Sequence, residues 1–236
     1  DGATKENEYG YQHLPKLPGD ESLTITMQRA LEGKVDGLIV FGQNIAVTNP
    51  NTGWSRDAIR NLKWLVVCDM FENETASVWY ADPDAPDPSK CKTEVFLLPT
   101  NALIEKDGSA NNTERLMQWH DRVKEAPGDS RSDAWWIYQL GLRFKKMAEK
   151  SMLPRDEGMR ALTWNYGVAP NTVNVMGLPA VEGDADIDAV ALEMNGVNLE
   201  TNLPIQSSAE LKSDGTTICG CRLLAGFINK EGNNLM

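Results

Sequence analysis

Cysteine and histidine, the usual ligands of zinc ions and iron–sulfur clusters, are scarce in this sequence. Its 236 residues include four cysteines and two histidines, and His13 and His120 lack the spacing of a metal-ligand set. Cys68 stands inside an apolar run, where a cysteine most often serves as a small core residue. Cys219 and Cys221 form a C-x-C pair that would need two further ligands to hold a zinc ion or an iron–sulfur cluster. We therefore expect this chain to bind no metal ion or cluster on its own.

Long apolar runs and positive charges are also in short supply. No stretch approaches the roughly 20 apolar residues of a membrane helix, and none reads as a signal peptide. The chain begins Asp-Gly-Ala-Thr without a methionine, which suggests a processed or excised sequence. Lys and Arg number 23 against 34 Asp and Glu, and the net charge of −11 argues against nucleic acid or an anionic membrane as a partner.

Two short apolar runs that end abruptly in polar residues carry the strongest signal. The first run, at 37–41, is followed by Gly-Gln-Asn at 42–44, and the second, at 64–68, is followed by Asp69. Strands buried on both faces of a parallel sheet have such continuous apolar runs. Residues 55–62, which lie between the two runs, have the apolar spacing of a helix. Open α/β sheets bind nucleotide-like ligands at the carboxyl ends of such strands, although many strand–helix–strand units bind nothing there.

The remaining pattern predicts an α/β domain followed by a poorly periodic tail. A third buried strand is predicted at 93–99, and surface loops are predicted at 80–92 and 105–114 because these are rich in proline or poor in apolar residues. Helices are predicted at 22–32, 55–63, 132–150 and 186–195. We predict an α/β domain with a mainly parallel sheet at 1–150, and an irregular extension at 151–236 that packs on other domains of a larger protein.

Four blocks, in this order and spacing, go beyond a generic strand–helix–strand unit. They are GLIVFGQN (37–44), WLVVCDMFENETA (64–76), EVFLLP (94–99) and EKDGSANNTER (105–115). They resemble the patterns G-x-N-P, D-x-F-x-T-E-T-A, A-D-V-V-L-P and E-x-x-G-x-x-x-N-x-E-R in the molybdopterin-binding region of the molybdenum/tungsten oxidoreductase family. The resemblance implies a Rossmann-like domain that holds a molybdopterin dinucleotide.

Three further blocks narrow the resemblance to one branch of that family. Residues 11–16, 118–138 and 214–221 resemble the catalytic subunit of respiratory, selenocysteine-type formate dehydrogenases. That branch implies oxidation of formate to carbon dioxide, or the reverse, on a bis(molybdopterin guanine dinucleotide) cofactor that holds tungsten or molybdenum. It also implies a 4Fe-4S cluster in the parent enzyme, an iron–sulfur electron-transfer subunit, contacts with the remaining domains of the catalytic subunit and a periplasmic location.

The family's metal-site motifs are missing from this sequence. It has no cysteine motif for the iron–sulfur cluster, and no metal-ligating selenocysteine or cysteine with the neighbouring histidine and arginine. We therefore interpret the chain as an internal part of a longer catalytic subunit, one that supplies cofactor contacts and no catalytic residue. Two alternatives stay open: a nitrate-, polysulfide- or thiosulfate-reductase subunit of the same family, and a stand-alone, flavodoxin-like nucleotide-binding module without catalysis.

Asp69 is the residue to which the binding chemistry points most directly. Guanine presents an N1–H and an exocyclic amine on one edge, and a single carboxylate can accept both in a charge-assisted pair. The residues alone allow equally that Asp69 caps the following turn, and the resemblance favours guanine. The other cofactor contacts implied by the resemblance are Gly42, Gln43, Asn44, Phe71, Asn73, Thr75, Gln118 and Asp133. The structural alternatives are helix capping for Thr75 and a first-turn position for Asp133.

Three departures from the family patterns bear on these assignments. Ile45 replaces a proline, which changes the stiffness of the turn. Asn73 replaces a threonine, and both residue types can hydrogen-bond a ligand. Glu94 replaces the aspartate of A-D-V-V-L-P, which leaves the role of that carboxylate open. In the loop at 105–115 the composition fits ligand binding without identifying the residue that makes contact.

Overall fold

The computed structural model describes residues 4–8, 19–82, 87–112 and 116–233, so the block at 11–16, including His13, lies outside the described residues. The helices are α1 (Leu23–Leu31), α2 (Ile45–Thr48), α3 (Thr52–Arg60), α4 (Glu74–Ser77), α5 (Asp133–Ala148), α6 (Glu157–Ala161) and α7 (Ile187–Asn195). The strands are β1 (Gly37–Phe41), β2 (Trp64–Asp69), β3 (Glu94–Pro99), β4 (Gly108–Asn112), β5 (Leu116–His120), β6 (Val197–Asn198), β7 (Leu203–Pro204) and β8 (Thr217–Ile218). Among the described residues, no helix has both the length and the apolar character that crossing a membrane requires.

The chain folds into two compact units. Of the described residues, the sheet unit comprises 19–82, 87–102 and 126–133, and the hairpin unit comprises 4–8, 103–112, 116–125 and 134–233. The boundary that the sequence suggests after residue 150 does not coincide with this division. As a boundary between parts that fold separately, it stays a prediction.

The sheet unit contains the predicted parallel sheet, with strand order β1-β2-β3. The connection from β1 to β2 is helical, as predicted, but α3 begins at Thr52 rather than at Ser55. The side chain of Asn51 caps this helix, since its Oδ1 accepts from the backbone N–H of Trp54 at 3.1 Å. Ser55 is instead buried, and its Oγ accepts from Asn49 Nδ2 at 3.0 Å.

The two faces of the sheet are buried to different extents. The face opposite Leu65 and Val67 buries Cys68 of the central strand but leaves residues of the outer strands exposed, so the prediction of strands buried on both faces holds only in part for the described residues. Successive side chains of a strand point to opposite faces. Leu65 and Val67 point to the face that packs with α1 and α3, and both are fully buried. On the other face Ile39 is 41% exposed and Phe96 is 44% exposed. The continuous apolar runs therefore predicted the strands correctly and their burial only in part.

The hairpin unit contains a strand pair where the sequence predicted a loop. Strands β4 and β5 pair antiparallel, with Gly108 opposite His120. The region 105–114 has too few apolar residues to show a strand period, because β4 carries mostly Ser, Ala and Asn. Met117 of β5 is fully buried with Phe227 in a small core that α7 completes. Helix α7 confirms the prediction at 186–195.

Candidate functional site

The carboxyl ends of β1, β2 and β3 meet at one edge of the parallel sheet, and Asp69 lies at its centre. The backbone N–H of Gly42, just after β1, donates to the carbonyl of Cys68 at 2.9 Å. The N–H of Thr100, just after β3, donates to the carbonyl of Asp69 at 3.1 Å. We call these strand ends and the loops that follow them the carboxyl edge. The structure thus brings together the polar residues that follow the first two strands, as the sequence predicted.

A separate segment of the chain extends this edge and brings Asp133 to it. Arg131 pairs with Thr100 in a parallel bridge, and its N–H donates to the carbonyl of Pro99 at 3.3 Å. The hydroxyl of Ser130 donates to Asn101 Oδ1 at 2.7 Å, and both residues are buried. Residues 130–131 therefore lie beside the end of β3, to which one isolated bridge joins them, and Asp133 follows two residues later. No periodic pattern in the sequence could have shown this connection.

The turn that follows Asp69 donates two hydrogen bonds to its carboxylate. Its Oδ1 accepts from the N–H of Met70, and its Oδ2 accepts from Asn73 Nδ2, each at 2.7 Å. Asp69 thus does make the turn contacts that the structural alternative predicted. An ionised carboxylate offers about four lone-pair sites, so each oxygen keeps capacity for one more donor. Binding of guanine and support of the turn are therefore compatible at this residue.

Gly42, Gln43 and Phe71 form the accessible part of the predicted site. Gly42 has φ +57°, a left-handed conformation that favours glycine, and no atom lies within 4 Å of the position that a Cβ would occupy. Gln43 is exposed, and its amide offers both donors and an acceptor. The Phe71 ring is 76% exposed, two residues after Asp69. An open glycine, a free amide, a carboxylate and an exposed ring suit the phosphates, sugar and base of a nucleotide.

Asn44 and Thr75 are tied to each other and to neighbouring residues. The Thr75 hydroxyl donates to Asn44 Oδ1 at 3.0 Å and accepts from the N–H of Ala46 at 3.1 Å. The Asn44 amide donates to Glu74 Oε2 at 2.5 Å. Asn73 caps α4, since its Oδ1 accepts from the N–H groups of Thr75 and Ala76 at 3.0 and 3.1 Å. Sequence reasoning missed Glu74, although it lies between Asn73 and Thr75 in the block at 64–76.

The surroundings of the carboxyl edge change the pKa of the Cys68 thiol, which lies one residue before Asp69. Burial, and to a smaller extent the charge of Asp133, raises the pKa of Cys68 to about 11. The thiol is therefore protonated and neutral near pH 7. The interaction also shows that the Asp133 carboxylate acts on the end of β2, in accord with its place at the carboxyl edge.

Gln118, a predicted cofactor contact, and Glu94, whose role the sequence leaves open, do not belong to the strand ends of the carboxyl edge. Gln118 belongs to the hairpin unit, where it is exposed on β5 opposite Ala110. Glu94 starts β3 beside Trp64, whereas Asp69 pairs with Pro99. Five residues along a strand span about 16 Å, so Glu94 lies at the opposite edge of the sheet from Asp69. The Glu94 carboxylate therefore cannot contact a ligand bound beside Asp69.

The cysteine pair near the end of the chain packs against a helix end. The Cys219 thiol donates to the carbonyl of Met194, with Sγ and O 3.3 Å apart, in the last turn of α7. Burial raises the pKa of this thiol. Since thiolates rather than thiols ligate metals, the surroundings of Cys219 favour a structural role.

Replacing Cys219 and Cys221 together by serine is expected to leave the iron content of the full-length protein unchanged. A serine hydroxyl can still donate to the Met194 carbonyl, so the helix end keeps its partner. Iron analysis of the purified double variant checks this, with Cys91→Ser as the matched control. Loss of one whole iron–sulfur cluster in the double variant alone would show that the pair is a cluster ligand.

Relatives of this chain are formate dehydrogenase subunits. The formate dehydrogenase-O major subunit of Escherichia coli K12 is 32% identical over 237 residues, covering 100% of this chain and 23% of that protein. The formate dehydrogenase subunit alpha of Megalodesulfovibrio gigas is 31% identical over 235 residues, covering 95% and 22%. The formate dehydrogenase 2 subunit alpha (cytochrome c-553) of Nitratidesulfovibrio vulgaris Hildenborough is 41% identical over 136 residues, covering 57% and 13%. The chain thus spans less than a quarter of the length of these relatives.

The family resemblance that the sequence blocks suggest is confirmed by a second comparison. The family model for molybdopterin oxidoreductases matches residues 5–141, which is more than half of the chain and includes Asp69 and the rest of the parallel sheet. The chain belongs to the molybdopterin oxidoreductase family.

Proposed function

We propose that the carboxyl edge binds the guanine nucleotide end of a molybdopterin guanine dinucleotide in a formate dehydrogenase. The observation that carries the proposal is the position of Asp69, at the central strand end and beside the open Gly42. Its carboxylate accepts the N1–H and the exocyclic amine of guanine in a charge-assisted pair, which adenine cannot supply. The proposal extends to Asp133 through its place at the same edge.

The accessible groups at the edge fit the remaining parts of such a ligand. The open side of Gly42 admits close approach of a sugar or phosphate, and the Gln43 amide can donate to phosphate oxygens. The exposed Phe71 ring offers a face for stacking of the base. When bound, the cofactor supplies the redox chemistry at its metal, and the protein supplies binding and orientation.

We further propose that the parent enzyme oxidises formate to carbon dioxide, a reaction that releases one proton and two electrons. This rests on the names of the relatives and on the sequence blocks at 118–138 and 214–221. The same proposal includes the bis-dinucleotide form of the cofactor, with tungsten or molybdenum as its metal and selenocysteine at that metal. It also includes a 4Fe-4S cluster, an iron–sulfur partner subunit and a periplasmic location. Gln118, which the family resemblance implies as a further cofactor contact, belongs to this proposal as well.

Cofactor analysis of the purified full-length protein tests the proposal. We expect oxidised pterin, about one GMP released by acid hydrolysis per dinucleotide, and formate-dependent reduction of an artificial dye. Pterin with reduction of nitrate, polysulfide or thiosulfate, and without formate oxidation, would support the alternative reductase assignment. Flavin in place of pterin would support the flavodoxin-like module and overturn both family assignments.

For domain organisation we propose the sequence boundary, with residues 1–150 as the cofactor-binding domain and 151–236 as an extension. The expected result of limited proteolysis on the isolated 236-residue chain is early cleavage after residue 150, because the exposed Met152 and Leu153 lie between α5 and α6. Resistance of the extension equal to that of the sheet would contradict the boundary. That result would show that the core shared by Met117 and Phe227 holds the hairpin unit together.

A further inference from the structure

The residues that the family resemblance assigns to the cofactor fall into two groups in the structure. Gln43 and Phe71 are exposed, whereas Thr75 has no exposed surface at all. The Thr75 hydroxyl can donate one hydrogen bond, and it donates it to Asn44. Its oxygen also accepts from the N–H of Ala46. Thr75 therefore has neither the accessibility nor the spare donor that a direct contact with a ligand requires.

Asn44 is similarly engaged, through both ends of its amide. Its Oδ1 accepts from Thr75, and its Nδ2 donates to Glu74 Oε2 at 2.5 Å. The backbone N–H of Glu74 itself, and then the Asn44 amide, lower the pKa of the Glu74 carboxyl. Glu74 is thus ionised near pH 7, so the bond from Asn44 is charge-assisted and stronger than one between neutral groups.

These bonds connect the two loops that form the carboxyl edge. Asn44 and Ala46 belong to the segment after β1, and Glu74 and Thr75 belong to the segment after β2. In the segment after β2, Asn73 extends the connection to Asp69. Its Oδ1 caps α4, and its Nδ2 donates to the Asp69 carboxylate at 2.7 Å. We call Asn44, Asn73, Glu74 and Thr75 the linking network. It ties the open Gly42-Gln43 turn to the Asp69 carboxylate.

We propose that Thr75, with Asn44 and Glu74, is a positioning residue that fixes the spacing between Gln43 and Asp69, rather than a cofactor contact. The inference rests on the proposed function, because the ligand that contacts both loops is taken to be the dinucleotide. A ligand that contacts both loops binds best when the loops are held in place beforehand, because less conformational entropy is then lost on binding. Loss of the link frees the two loops to move independently and weakens retention of the ligand.

The test uses the full-length protein and variants that differ at the Thr75 hydroxyl. Thr75→Val removes the hydroxyl, and Thr75→Ser keeps it. Thr24→Val is the matched control, because Thr24 is exposed on α1 of the same unit and outside the network. We measure pterin content after purification and the rate of pterin loss from loaded protein on mild heating. We expect Thr75→Val to lose pterin about tenfold faster, while Thr75→Ser stays within about threefold of the unmodified protein.

A double-mutant cycle separates positioning from simple packing. If Thr75 acts through its bond to Asn44, the double variant Asn44→Ala/Thr75→Val loses pterin about as fast as Asn44→Ala, which by itself lacks the bonds to both Thr75 and Glu74. If Thr75 acts independently of Asn44, the two effects multiply, and the proposal is overturned. Retention equal to the unmodified protein in Thr75→Val overturns it as well.

Hydrogen exchange supplies a readout that needs no cofactor. The Ala46 amide loses its acceptor in Thr75→Val, so we expect faster exchange at Ala46 in that variant and not in Thr24→Val. Absence of pterin from the unmodified protein would refute the proposed function, and the Ala46 amide would still report on the link. Unchanged exchange at Ala46 would refute the link whatever the cofactor content.

Discussion

Replacing Asp69 by asparagine is expected to lower the affinity of the full-length protein for its pterin cofactor by about 10- to 150-fold, or 1.5–3 kcal/mol. The asparagine keeps one oxygen to accept from guanine and loses the negative charge that strengthens both bonds. It also presents an NH2 group either to the N–H of Met70 or to Asn73 Nδ2, since the carboxylate now accepts from both. The measurement is the ratio of pterin to protein after purification.

The control for this substitution is Asp36→Asn, which makes the same chemical change away from the carboxyl edge. Asp36 directly precedes β1 and pairs with Lys63 in an exposed ion pair of 2.9 Å, so its loss should cost about 1 kcal/mol at most. The control is expected to keep its full cofactor content. Full pterin and normal turnover in Asp69→Asn would show that guanine binds elsewhere, and equal losses in the two variants would point to a general effect of charge.

The part of the site that the sequence could predict is the part that follows from strand ends. Asp69 and Gly42 end continuous apolar runs, and parallel strands place their carboxyl ends together. The register of β1, β2 and β3 confirms this arrangement. The same runs could not show which face of the sheet is covered. An apolar residue in the sequence does not reveal whether another element of the fold packs on it. Phe96 illustrates this limit, as an apolar strand residue that lies exposed.

The roles of individual side chains could not be predicted, because they depend on contacts between distant parts of the chain. Thr75 reads as a helix cap or a ligand contact in the sequence, and its burial depends on Ala46 and Asn44, about 30 residues earlier. Asp133 reads as a first-turn helix residue, and its place at the carboxyl edge depends on the bridge between Arg131 and Thr100. The family patterns identify the positions that matter without separating contact from support.

A second large effect is expected at Asp82, whose side chain is only 4% exposed and accepts hydrogen bonds from two arginines of α3. Arg60, itself 10% exposed, donates to it from Nη2, and Arg56 Nη1 lies 3.4 Å away. Replacing Asp82 by asparagine keeps the shape and removes the charge that compensates both guanidinium groups. Breaking a buried ion pair from one side costs about 3–5 kcal/mol, because the remaining charge is left buried without its partner.

The expected value lies near the lower end of that range, because Arg60 keeps two other acceptors. Its Nε donates to the carbonyl of Val78 at 3.3 Å, and its Nη1 pairs with Asp57 at 2.9 Å. Hydrogen exchange on the full-length protein measures the effect locally, without assuming that a multidomain protein unfolds in one step. A loss of about 3 kcal/mol corresponds to roughly 100-fold faster exchange at amides of α3 that exchange by opening of the helix.

Asp57→Asn provides the matched control, since Asp57 pairs with the same arginine from a side chain that is 66% exposed. Exposed ion pairs contribute about 0–1 kcal/mol, so exchange in α3 should rise by about fivefold at most in this variant. The two aspartates share Arg60 as a partner, and they differ in burial and in the second arginine, Arg56, that contacts Asp82 alone. Equal effects of the two substitutions would show that Asp82 stabilises α3 no more than a surface ion pair does, and that Arg60 is held by its backbone contact to Val78.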